Sequence, residues 1–178
     1  MGKEQWDVYD IHRVKTGDVV TRGEKPAEGQ FRMVVHICIF NSEGKMLIQQ
    51  RQPFKSDWSD LWDLSVGGCS RAGETSQDAA HREVLEEIGL DIDFTGIVPH
   101  FTMNWEHGFD DYYLIRKDMD PAALILQEEE VQAVRWATRE EILDLIRSEK
   151  FITYHESLID LCFAMRSQYG AHASEKLK

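Results

Sequence analysis

The chain has 178 residues, a net charge of −12, and 42% hydrophobic and 29% charged residues. That length supports one domain with a substantial core, and the composition excludes the disordered and fibrous classes. The acidity argues against binding a nucleic-acid polymer or an anionic membrane, since both need a basic surface.

Cys38, Cys69 and Cys162 form no CxxC pair, which points to reduced thiols in a cytoplasmic setting rather than to a disulfide or zinc framework. The polar start MGKEQWDVYD does not read as a signal peptide, and no apolar run approaches the roughly 20 residues of a membrane span. In chain order, DVYDIHRV and DVVTRGE flank a turn-like Thr16-Gly17-Asp18 and predict a small N-terminal β-hairpin. FRMVVHICIF (31–40) is β-branched and aromatic, Asn41-Ser42-Glu43-Gly44 supplies turn chemistry, and KMLIQQR (45–51) returns, which predicts a second hairpin. LWDLSVGG reads as one short strand ending in glycines.

The period then changes. Ala80, Val84 and Ile88 recur at four-residue spacing and Gly89 ends the pattern, predicting an amphipathic helix that starts near Thr75 with a Thr75–Asp78 capping box. DIDFTGIVPHFTM, DDYYLIRKDM and EEVQAVRWA read as strands, with NWEHGFDD as a loop between the first two. TREEILDLIRSE predicts a helix with Thr138 as N-cap and Glu141 at its third position, and 156–170 predicts a second one. Strands, a central helix, more strands and two closing helices make an α/β fold with a mixed sheet. The expected organisation is one domain over 1–170, with 1–30 as a hairpin extension and 171–178 as a flexible tail.

Glu83, Glu86 and Glu87 project from one face of the predicted central helix. Spacing alone favours a solvated face on which Arg82 neutralises Glu86 four residues on. Gly67 and Gly68 immediately before the helix offer backbone carbonyls beside those carboxylates. An oxygen-only donor set of this kind suits Mg2+ or Mn2+ rather than zinc.

Gly68, Glu74 and the run Arg82-Glu83-Val84-Leu85-Glu86-Glu87-Ile88-Gly89-Leu90 together resemble the complete signature box of the Nudix hydrolases. The resemblance implies an α/β/α sandwich and a loop–helix–loop that carries Mg2+ or Mn2+. It also implies hydrolysis of a small diphosphate substrate, a nucleoside diphosphate linked to another group or a nucleotide. On the matching positions, Glu83, Glu86 and Glu87 become metal ligands with a carbonyl of Gly67 or Gly68. Arg82 holds the carboxylates in place and Glu74 is structural. Glu83, or Glu130 outside the box, orients or deprotonates the attacking water. A homodimer with the N-terminal hairpin at its interface is a further expectation by analogy.

Outside the box, Arg51 and Lys55 are candidates for phosphate contact, and Trp105 and Phe109 for stacking on a base. Asp110 and Asp111 are further acidic candidates, while His36 and His100 read as packing residues. Arg51, Lys55, Trp58 and Trp62 also resemble the pattern of isopentenyl-diphosphate isomerases, which share the fold. The cysteine and histidine of that pattern fall on Gly67 and Cys69, so a hydrolase from an isomerase-like branch is the better match. A non-catalytic nucleotide sensor is the other alternative.

Overall fold

A computed structural model describes residues 3–24 and 26–172, so residues 173–178 of the expected tail lie outside the described residues. Two strands, β1 (Gln5–Tyr9) and β2 (Lys15–Thr21), form a separate antiparallel ribbon. The main sheet is built from β3 (Arg32–Phe40), β4 (Met46–Arg51), β5 (Trp62–Asp63), β6 (Val66–Cys69), β7 (Phe101–Trp105), β8 (Gly108–Arg116) and β9 (Val131–Ala137). Its helices are α1 (Ser76–Ile88), α2 (Arg139–Arg147) and α3 (Glu156–Met165).

The central strands explain the layers. Along β3, Val35, Ile37 and Ile39 pack in the core under α1, whereas Cys38 and Phe40 pack in the core under α2 and α3. Its parallel neighbour β8 divides in the same way, with Tyr113 on the α1 side and Tyr112 and Leu114 on the other. Both faces are buried, so these strands read as nearly continuous apolar runs rather than alternating ones. A one-residue slip would exchange the two faces, placing Phe40 where Ile39 packs, and the pairing register is thereby fixed. Helices on both faces of a mixed sheet give the expected α/β/α sandwich.

Several local expectations are corrected. Thr16-Gly17-Asp18 lies inside β2, and the ribbon turns at 10–14, where Asp10 Oδ1 accepts from the amides of His12 and Val14 at 2.9 Å each. Gly17, at φ 92°, accommodates an irregular register between Asp7 and Tyr9 instead of making the turn. LWDLSVGG is two short strands, β5 and β6. The segment 91–100 is not strand: Ile92 and Phe94 are buried beside α1, and pairing begins only at Phe101. NWEHGFDD is a tight hairpin rather than a loop, with Trp105 paired to Gly108. The last helix ends at Met165.

The predicted β3–β4 hairpin is the most informative correction. The two strands pair only at Phe40 and Met46, then separate, β3 turning to β6 and β4 to β5 and β9. Ser65, fully buried, fills the fork: its Oγ accepts from the Ile39 amide at 2.8 Å and donates to the Leu47 carbonyl at 2.5 Å. One hydroxyl thus satisfies two backbone groups that a regular ladder would have paired, and the opening lets β6 bring its glycines alongside β3. Ser65→Ala should leave both groups without a partner and cost about 1–3 kcal/mol. Urea unfolding should then show a lower midpoint at unchanged slope; an unchanged midpoint would mean that the strands re-pair directly.

Candidate active site

The site is built on α1. Thr75 caps its N-terminus in a reciprocal box with Asp78, and Gly89 ends it in the left-handed region at φ 66°. A Cβ at Gly89 would meet Ile125 Cβ at 2.8 Å, so glycine is needed there for space as well as conformation. The buried face of α1 runs through Ala79, Ala80, Val84 and Ile88, and it also contains Glu83 and Glu87. These two carboxylates are 8% and 6% exposed. Two of the three glutamates therefore lie on the face turned toward the sheet, and the solvated-face reading fails for them.

Burial of carboxylates disfavours their charged form. Desolvation pushes Glu83 up to about 7 despite the Arg82 guanidinium beside it. Glu87 is raised well above the usual range by burial first and by the neighbouring Glu83 second. Glu87 Oε2 accepts from Gln49 Nε2 at 3.1 Å, while the buried Oε1 of Gln49 has no hydrogen-bond partner among the described residues.

Gly68 makes this placement possible. A Cβ there would collide with the Glu83 carboxylate, so only glycine lets that side chain lie against β6. Arg82 then ties the parts together. Its Nε and Nη2 grip both oxygens of Glu74 at 2.6 and 2.9 Å, Nη2 also donates to the Cys69 carbonyl at 3.0 Å, and Nη1 reaches Glu83 at 2.8 Å and Glu86 at 3.2 Å. Although burial opposes it, Arg82 holds Glu74 below the usual carboxylate range.

A cleft beside β6 has Glu83, Glu86 and Glu87 on one wall and Arg51, Lys55 and Glu130 on another. Across Gly67 and Gly68 it continues into a space lined by Trp58, Trp105, Tyr112, Tyr154 and His36. Of the residues singled out from the sequence, Lys55 and Glu130 are joined in one ion pair at 2.5 Å. Arg51 lies between the two parts of the cleft, 3.9 Å from Asp63. Trp105 borders the aromatic part, stacks with Arg32, and donates from Nε1 to Asp110 at 2.8 Å. Phe109 is not brought to the cleft; it is 4% exposed and packs edge-on against Tyr9 of the ribbon. Asp111 is committed to Ser76 and Thr102 by bonds of 2.7 and 2.6 Å.

Four contributors went unrecognised in the sequence. Gln49 carries a faint signal, being a polar residue that follows the apolar run Met46-Leu47-Ile48 within β4 and is nevertheless buried. His36, read as packing, stacks on Tyr112 but also faces Asp110 across 3.5 Å in the cleft. Arg71 and Glu4 give no sequence signal, because only the fold brings the ribbon to the box.

Among the described residues, no three carboxylate, imidazole or thiol groups converge closely enough to enclose a cation unaided. Arg82 and Arg71 hold Glu83 and Glu86 instead. The donor chemistry nevertheless fits a hard divalent ion: carboxylate oxygens on a rigid helix, the unpartnered Gln49 Oε1, and a glycine strand against which the Glu83 carboxylate packs.

A helix that buries two of three clustered carboxylates against a glycine-bearing strand of an α/β/α sandwich is the arrangement that the signature box implies. The NUDIX domain family matches residues 30–157, and the chain belongs to the Nudix hydrolase family. It is 48% identical over 151 residues to an uncharacterized Nudix hydrolase of Listeria monocytogenes, covering 85% of this chain and 89% of that one. It is also 31% identical over 132 residues to an isopentenyl-diphosphate Delta-isomerase of Salmonella arizonae, covering 67% and 71% respectively. A crystal structure from Deinococcus radiodurans superposes with a TM-score of 0.75 at 25% identity, covering 89% of this chain and 99% of that one.

Arg82→Met should leave Glu74 and Glu83 without their cation and cost about 2–3 kcal/mol, below the figure for a fully buried pair. Arg82→Lys should recover little of it, because one ammonium cannot reproduce the fork. Thermal unfolding of the two variants checks this, and full rescue by lysine would overturn it.

Proposed function

We propose that the protein is a Mg2+- or Mn2+-dependent pyrophosphohydrolase that cleaves the diphosphate linkage of a nucleoside diphosphate derivative or a nucleotide. The observation that carries this reading is the burial of Glu83 and Glu87 on α1 beside Gly68, where a side chain would evict Glu83. Glu83, Glu86 and Glu87, with a carbonyl of Gly67 or Gly68, would hold the metal. Bound there, the ion would offset the carboxylate charge that repels a diphosphate and would lower the pKa of coordinated water.

The chain's own groups supply the rest. Arg51 and Lys55 would contact the phosphates. Where Lys55 exchanges Glu130 for a phosphate oxygen, the freed Glu130 Oε2 can accept a proton from the attacking water. Water oxygen adds to phosphorus as the bridging P–O bond breaks, and the departing phosphate carries the electron pair. Arg82 keeps Glu83 and Glu86 oriented throughout. Trp105, braced by Arg32 and Asp110, supports a role in seating the organic group.

The isomerase alternative lacks its catalytic cysteine: Gly67 occupies that position, and Cys69, whose thiol burial pushes up to about 11, lies two residues further on. Phosphate or nucleotide release from a panel of diphosphate substrates with Mg2+ or Mn2+ tests the reading. Glu87→Gln should reduce turnover by at least about a hundredfold; undiminished turnover would remove Glu87 from the site, and robust conversion of isopentenyl diphosphate would favour the isomerase. Ligand-dependent stabilisation without hydrolysis would instead indicate a sensor.

A further inference from the structure

The N-terminal ribbon is wired into the box. The Gln5 carbonyl accepts from the Ala72 amide at 2.8 Å, Asp7 Oδ2 accepts from the Gly73 amide at 2.9 Å, and Lys15 Nζ donates to the Glu74 carbonyl at 2.7 Å. The backbone of 71–74 is therefore held from the ribbon side. Projecting from that segment, Arg71 places Nη1 and Nη2 on the two oxygens of Glu86, each at 3.0 Å, and its Nε on Glu4 Oε1 at 3.1 Å. The other oxygen of Glu4 accepts from Arg22 at 3.0 Å.

This fork occupies both oxygens of one proposed metal ligand. Arg82 also touches Glu86, but its side chain is 14% exposed and locked by Glu74, Glu83 and Cys69, whereas that of Arg71 is 42% exposed. A pair this solvated is weak enough for a divalent ion to displace. A displaced guanidinium still bonded to Glu4 stays in the cleft that Arg22, Arg51 and Lys55 also line.

We propose that Arg71, tethered by the positioning residue Glu4 of the N-terminal ribbon, covers Glu86 before the metal binds and turns to the substrate's diphosphate afterwards. The inference rests on the metal-dependent reading above. It assigns the ribbon a part in the site: Glu4 keeps the arginine within reach of both partners, one anion at a time. Arg71 therefore opposes one ligand and assists the other, a pair of signs that a purely structural residue does not produce.

Two probes separate the signs. Free Mn2+ is followed by electron paramagnetic resonance in titrations of the wild type, Arg71→Met, Arg71→Lys, Glu4→Gln and Glu86→Gln. Binding of imidodiphosphate, a non-hydrolysable diphosphate, is then measured by calorimetry with Mn2+ present. Arg71→Met should bind Mn2+ roughly two- to fivefold more tightly, because its competitor is gone. The same variant should bind imidodiphosphate at least about tenfold more weakly. Arg71→Lys, which retains charge without the fork, should fall between wild type and Arg71→Met for both probes. Glu4→Gln should weaken imidodiphosphate binding while retaining the thermal midpoint of the wild type.

Mn2+ affinity that is Glu86-dependent but unchanged or reduced in both Arg71 variants would overturn the inference alone. Mn2+ binding that ignores Glu86→Gln would bring down the metal assignment of that residue and this inference with it. The lysine variant keeps the test decisive if the methionine variant does not fold.

Discussion

The guanidinium of Arg82 is the constraint on which the rest of the site depends. A carboxylate buried without a partner neutralises itself or moves to water, so Glu83 can remain under β6 in a useful form only while a cation stands beside it. Arg82 supplies that cation, and it can do so because Glu74 grips it from the opposite side and the Cys69 carbonyl fixes its plane. One fork thus joins the loop before α1, the end of β6 and the carboxylate face of α1. Lysine has the charge but not the geometry to reach all of them.

The sheet serves this arrangement through a local defect. Had β3 and β4 zipped together as their turn and composition suggest, β6 would have had no edge to join. The Ser65 hydroxyl stabilises the fork by pairing with both separated strands, and Gly68 then lies where the Glu83 carboxylate can pack flat against backbone. Backbone irregularity near a site is often described as strain, yet here the fork is fully hydrogen-bonded at Ser65. What it provides is proximity between a strand with no side chain and a helix with a long acidic one.

Much of this was legible in the residues. The helix starts, both capping boxes and the mixed sheet followed from period and turn chemistry, because those signals are local, whereas the last helix stops at Met165, short of its expected end. The acidic cluster was visible too, but spacing could not say which carboxylates are buried, since burial depends on what packs opposite. Partners across the fold were the illegible part. Nothing near Lys55 announces Glu130, and nothing near Arg71 announces Glu4, because each pair is joined by strands distant in the chain. Phe109 misled for a related reason: an aromatic beside a predicted loop looks available, whereas the observed hairpin turns it into the packing under Tyr9.

The Lys55–Glu130 pair changes how substitutions in this cleft should be interpreted. Each residue is the other's counter-ion in the free protein, at 2.5 Å. Deleting either one liberates its neighbour and alters the charge balance beside Glu87, so a single replacement perturbs two roles at once. A loss on removing Lys55 would combine a missing phosphate contact with a glutamate relieved of its masking, and the two effects oppose each other. Only a double-mutant cycle apportions them, and a mild single-mutant phenotype at either position is no measure of its importance.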